Sequence, residues 1–70
     1  MTPQDLRAIR DELGITQYAL GERVGVRSQT VWRWEHGRSR IPGPAAKLIE
    51  MLVQDARRPG ARGRRAAPAA

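Results

Sequence analysis

The sequence predicts an all-α fold: a compact four-helix domain over residues 1–56, followed by a disordered basic tail over 57–70. Two observations carry this expectation. Apolar or small residues at Leu20, Gly21, Val24, Val26, Val31 and Trp34 have the spacing that locks two short helices at a steep angle about a glycine turn. From Arg57 to Ala70 the chain contains only Arg, Pro, Gly and Ala, so no large apolar side chain offsets the entropy of ordering it.

Helix 1 starts at Thr2-Pro3-Gln4-Asp5, where Thr2 caps, Pro3 takes the first helical position and Asp5 completes a capping-box spacing. It runs to Leu13 and stops at Gly14, with Leu6, Ile9 and Leu13 forming its apolar stripe. Arg10 is out of place on that face, because a guanidinium entering an apolar interface needs a carboxylate partner. Helix 2 follows Thr16 as its cap and ends at Gly25. Gly21 is the small residue where the helices approach, and Gly25 supplies the positive φ that reverses the chain. Helix 3 runs from about Ser28 to His36 and stops at Gly37. Its first turn leaves two readings open: Ser28 caps a slightly shorter helix, or no side chain caps it. Arg38-Ser39-Arg40-Ile41 is a basic loop, and Pro42-Gly43-Pro44 breaks and restarts the chain. Helix 4 runs from about Pro44 to Ala56 with Ala45, Leu48, Ile49 and Leu52 inward. Met51 and Val53 lie off that stripe and, with Ile41, are the apolar surface open to a partner.

Seventy residues make one small domain, near the lower limit for a core that folds unaided. With no cysteine and one histidine, neither a disulfide nor a structural metal site is expected, and no cofactor is called for. No apolar run is long enough to span a bilayer and no signal-peptide core is visible, so a cytoplasmic location is expected. The net charge of +6 is unevenly placed. Residues 1–55 sum to only +1, whereas 23–40 carry five arginines against Glu35 alone and 56–70 carry five more with no acid. Both basic stretches are places where a polyanion would make contact.

At about 100° per residue, Ser28, Gln29, Trp32, Arg33 and His36 share one arc of helix 3, while Val31 and Trp34 face the other way. One face binds and the other packs. The guanidinium fork of Arg33 matches guanine N7 and O6, and the amide of Gln29 matches the adenine edge. Trp34 is a core residue, whereas Trp32 points with the binding side chains and is placed to meet a thymine methyl or a deoxyribose. Gln17, with Tyr18 beside it, opens helix 2, where free N–H groups attract a phosphate. His36, Arg38 and Arg40 follow helix 3 closely and suit flanking phosphates.

Residues 2–56 resemble the Xre/Cro family of phage and bacterial repressor domains, whose fold is lambda-repressor-like. Gly14-Ile15-Thr16-Gln17, Leu20-Gly21, Val24-Gly25-Val26, Thr30-Val31 and Arg33-Trp34-Glu35-His36-Gly37-Arg38 carry the likeness in one register. The resemblance implies base contacts at Ser28, Gln29 and Arg33. At Gln17 it implies a phosphate clamp that also braces the recognition helix. It further implies an ion pair between Arg10 and Glu35. The chain departs from the family at Arg27, where a Ser or Thr is usual, and at Trp32, where a small polar residue is more common.

The function expected is that of a sequence-specific, double-stranded DNA-binding regulator, and likeness to the family implies a repressor. It is expected to act as a homodimer on a pseudo-palindromic operator, weakly associated when free. A second reading is an antitoxin or adaptor whose main partner is a protein, and a third is nonspecific binding of nucleic acid or anionic membrane through the tail. No Ser/His/Asp or Cys/His set and no phosphate loop after a strand suggests an enzyme.

Overall fold

The computed structural model describes residues 1–58, and the expected disorder of the tail from Pro59 onward lies outside the described residues. Four helices follow one another: α1 (Pro3–Leu13), α2 (Gln17–Val24), α3 (Ser28–Glu35) and α4 (Gly43–Arg57). Thr2 and Asp5 form the reciprocal cap, with the Asp5 N–H donating to Thr2 Oγ1 at 3.0 Å and the Thr2 N–H to Asp5 Oδ2 at 3.1 Å. Those bonds hold the Asp5 carboxyl below its ordinary pKa. Thr16 caps α2 by accepting from the Ala19 N–H at 3.0 Å.

α2 packs chiefly on α3, α1 bridges α3 and α4, and α4 closes against α1 and α2. Leu6, Leu20, Val31, Trp34 and Ile49 form the core, with Ile9, Ile15, Val24, Val26, Ile41, Ala45 and Leu52 packed around it. The α2–α3 approach depends on Gly21, since a Cβ there would stand 2.6 Å from the Val26 carbonyl oxygen. Gly25, at φ +87°, then turns the chain by the left-handed conformation that only glycine adopts freely.

Several expectations need correction. α3 ends at Glu35, and His36 is its C-cap rather than its last helical residue. Arg27 occupies the N-cap of α3 and gives no side-chain bond, so Ser28 is the first helical residue and does not cap. α4 begins one residue before Pro44 and ends one after Ala56, which places Arg57 in the helix instead of the tail. Arg57 donates to Glu12 from Nε at 2.5 Å and from Nη2 at 2.6 Å, tying the end of α4 to α1. Val53, expected on the open surface, is buried. It follows Ile49 by four residues, about one turn, and therefore shares its inward face. Leu48 and Leu13, expected inward, are only half-buried, and Ile41 packs partly onto the core. Of the surface expected to meet a partner, Met51 alone is well exposed.

Candidate nucleic-acid interface

α3 divides its residues cleanly by face. Val31, Trp34 and Glu35 are buried, whereas Gln29, Trp32 and Arg33 are exposed and Ser28 is half-buried at the helix start. Two apolar anchors and one buried carboxylate thus fix the inner side, and the outer side is left free to meet a ligand.

Glu35 is the anchor that a simple apolar stripe does not supply. Its Oε2 accepts from Arg10 Nε at 2.6 Å, and its Oε1 accepts from Arg10 Nη2 at 3.1 Å and from Gln17 Nε2 at 3.2 Å. Arg10 Nη1 also donates to the Ile15 carbonyl at 3.2 Å. Burial alone pushes the Glu35 carboxyl up, but the hydrogen bonds from Arg10 and Gln17 and the charge of Arg10 outweigh it and hold the pKa low. One carboxylate therefore joins α1, α2 and α3. Gln17 is half-buried and braces α3 through Glu35, not through one of the outward-facing side chains. Tyr18 is exposed at the start of α2, and its hydroxyl donates to Glu22 Oε2 at 3.1 Å.

The end of α3 is equally defined. Gly37, at φ +69°, lets its own N–H bond the Trp34 carbonyl at 3.3 Å and the Arg38 N–H bond the Arg33 carbonyl at 2.8 Å. This Schellman pattern satisfies the last carbonyls and starts the basic loop directly at the helix end. Arg38 and Arg40 are exposed there.

The electrostatics follow from what is paired. Among the described residues the ion pairs are Arg10–Glu35, Arg57–Glu12 and Arg58–Asp55, so Arg23, Arg27, Arg33, Arg38 and Arg40 have no carboxylate within 4.0 Å. Because Glu35 is buried and already met by Arg10, it does not offset those five cations at the surface. Trp32 and His36 add a relationship that the sequence does not announce. The Trp32 and His36 rings stack with centroids 3.9 Å apart and planes 16° from parallel. The i, i+4 spacing was its only signal in the sequence.

A helix-turn-helix family model matches residues 6–52, from α1 through most of α4. The chain belongs to the Xre/Cro-type helix-turn-helix family. Its members are DNA-binding regulatory domains, and this protein is a DNA-binding helix-turn-helix domain of that kind. The family match ends before the basic tail begins, so the tail owes nothing to it. No curated protein and no solved structure matches the chain. Among the described residues no group of three or more His, Cys, Asp or Glu is placed to hold a metal ion, and no helix is long and apolar enough to cross a membrane.

Proposed function

We propose that the protein is a sequence-specific regulator of transcription that represses by occluding a promoter, with α3 lying in the major groove of double-stranded DNA. The observation that carries this reading is that Arg33 is exposed on the outward face of α3 and, like Arg27 just before that helix and Arg38 and Arg40 just after it, has no carboxylate partner. Arg33 reads guanine through two parallel hydrogen bonds, Gln29 reads adenine, and Ser28 and Trp32 complete the base contacts. Gln17, Tyr18, Arg38 and Arg40 hold phosphates on either side. Gln17 has its amide nitrogen committed to Glu35, so the phosphate is met by the free N–H groups at the start of α2.

The functional unit on DNA is a two-fold homodimer acting in the cytoplasm. A single module of this size makes too few base contacts to stand out among genomic competitors, whereas two copies read a pseudo-palindrome with half-sites about one helical turn apart. The alternative of a protein-directed antitoxin or adaptor rested on a surface of Met51 and Val53. With Val53 buried, that surface shrinks to one methionine, which favours DNA as the main partner.

Selection of bound sites from random duplex DNA tests the reading. Enrichment of a dyad-related motif with a guanine at a fixed position in each half is the expected result. Retention of random duplexes without any enriched motif would mean binding by charge alone and would end the proposal.

A further inference from the structure

We propose that Trp32, held in place by His36, is a preformed apolar wedge on α3 that selects a pyrimidine bearing a C5-methyl group at one step of the major groove. The proposal rests on the reading that α3 enters that groove. Trp32 is 40% exposed, the large apolar side chain on the outward face of α3, and the packing role belongs instead to Trp34 at 3%. Its indole is not free to wander. The His36 imidazole lies against it at 3.9 Å and 16°, covering one side of the ring system.

His36 is itself pinned by the helix it caps. The Trp32 carbonyl oxygen accepts from the His36 backbone N–H at 2.9 Å and lies 2.9 Å from His36 Nδ1. A carbonyl can only accept, so Nδ1 carries the hydrogen in that bond. Rotating the imidazole away forfeits both this bond and the stack. The indole thus waits in one orientation before any DNA arrives, and binding need not order it.

An indole presented to base edges finds donors, acceptors and one apolar group, the C5-methyl of thymine. Against the other edges the carbon surface of the ring would strip water from polar atoms and return no hydrogen bond, which is unfavourable. Against the methyl it buries carbon on carbon. Cytosine lacks that methyl and 5-methylcytosine has it, so the wedge reads the methyl rather than the base. In this arrangement Trp32 determines specificity and His36 is a positioning residue that acts through it.

The full 70-residue chain and the duplex recovered by selection test this. Each thymine of one half-site is replaced singly by uracil, which removes the methyl and leaves every hydrogen-bonding atom. At one position uracil should weaken binding about fourfold, the effect of losing one buried methyl-sized group. Cytosine there should bind worse than 5-methylcytosine. Trp32→Ala should abolish the thymine-to-uracil ratio at that position, and His36→Ala should reduce it. Because each ratio compares two duplexes on one protein sample, a partly inactive variant leaves it unchanged. Equal binding of thymine and uracil at every position, or a ratio that survives in Trp32→Ala, overturns the wedge while leaving the DNA-reading function intact. A selection that enriches no duplex overturns both.

Discussion

Arg10 and Glu35 lie 25 positions apart and meet through two side-chain hydrogen bonds, at 2.6 and 3.1 Å. Glu35 is almost wholly enclosed, with 1% of its side chain exposed, against 24% for Arg10. Removing one partner strands a charge that water can no longer reach easily. Arg10→Ala, which leaves the enclosed carboxylate without its guanidinium, should therefore destabilise the fold by about 3–5 kcal/mol in urea or thermal unfolding. That is a large share of what so small a domain holds. Replacing both residues with apolar ones of similar volume should cost less, and an unchanged midpoint in Arg10→Ala would show the pair to be dispensable.

The same carboxylate sets a pH dependence. Its pKa in the folded protein is below the ordinary glutamate value of 4.5, so the unfolded chain takes up the proton first as pH falls. The stabilisation from Glu35 is therefore complete above about 4.5 and is lost as pH drops through the lower folded value. Urea midpoints measured from neutral pH downward should decline across that window, and Glu35→Gln should decline less steeply. Parallel curves for the two proteins would place the acid sensitivity elsewhere.

Gly21→Ala should destabilise the domain, although alanine is the better helix former by about 1 kcal/mol. The new Cβ would sit 2.6 Å from the Val26 carbonyl oxygen, a backbone atom that moves only if the α2–α3 turn moves. A loss of about 1–3 kcal/mol is expected. A gain in melting temperature would mean that the turn relaxes without strain.

Arg33→Ala and Arg40→Ala should fail in different ways. Loss of Arg33 should lower specific affinity by about 1–3 kcal/mol and relax the preference at one guanine. Loss of Arg40 should weaken binding to all duplexes alike and reduce the salt slope by about one. Binding titrations at several salt concentrations on matched and mismatched sites separate the two. Identical base preferences in both variants would refute the division between readers and clamps.

The free protein should sediment as a monomer at micromolar concentration, since Val53 and much of Ile41 are withdrawn from the surface and Met51 stands alone on α4. Two copies should then occupy a full-site duplex cooperatively. If one copy saturates a full site no more tightly than a half-site, the dyad arrangement is wrong.

What the sequence reveals and what it hides divide along a physical line. The cap at Thr2 and Asp5, the turns at Gly14, Gly25 and Gly37, and the inward pair Val31 and Trp34 are set by bonds and periodicity within a few residues. They can be read directly. That Arg10 needs a partner is legible for another reason, since a charge on an apolar stripe requires an opposite charge somewhere, while the choice of Glu35 comes from the family resemblance. Val53 is misread despite a legible signal: it follows the inward Ile49 by four residues and shares its face, whereas Leu48, one position off that face, is only half-buried. The Arg57–Glu12 bond joins residues 45 apart, and nothing local at either one announces it. For the outward face, the participants Gln29, Trp32, Arg33 and His36 are recognisable by phase. The stack of Trp32 on His36 is a choice of rotamer, and the sequence does not record rotamers.

The two-sidedness of α3 has a consequence for how such a protein changes over generations. Stability is invested in Val31, Trp34 and Glu35, while Ser28, Gln29 and Arg33 take no part in the core or in the buried ion pair. Under the proposed function, exchanging the outer residues would alter which operator is recognised and leave the melting point nearly untouched. On that reading mutation would explore new target sites without passing through unfolded intermediates. Trp32 is the exception among the outer residues, because its ring is stacked on His36 and replacing it also removes a contact at the helix end.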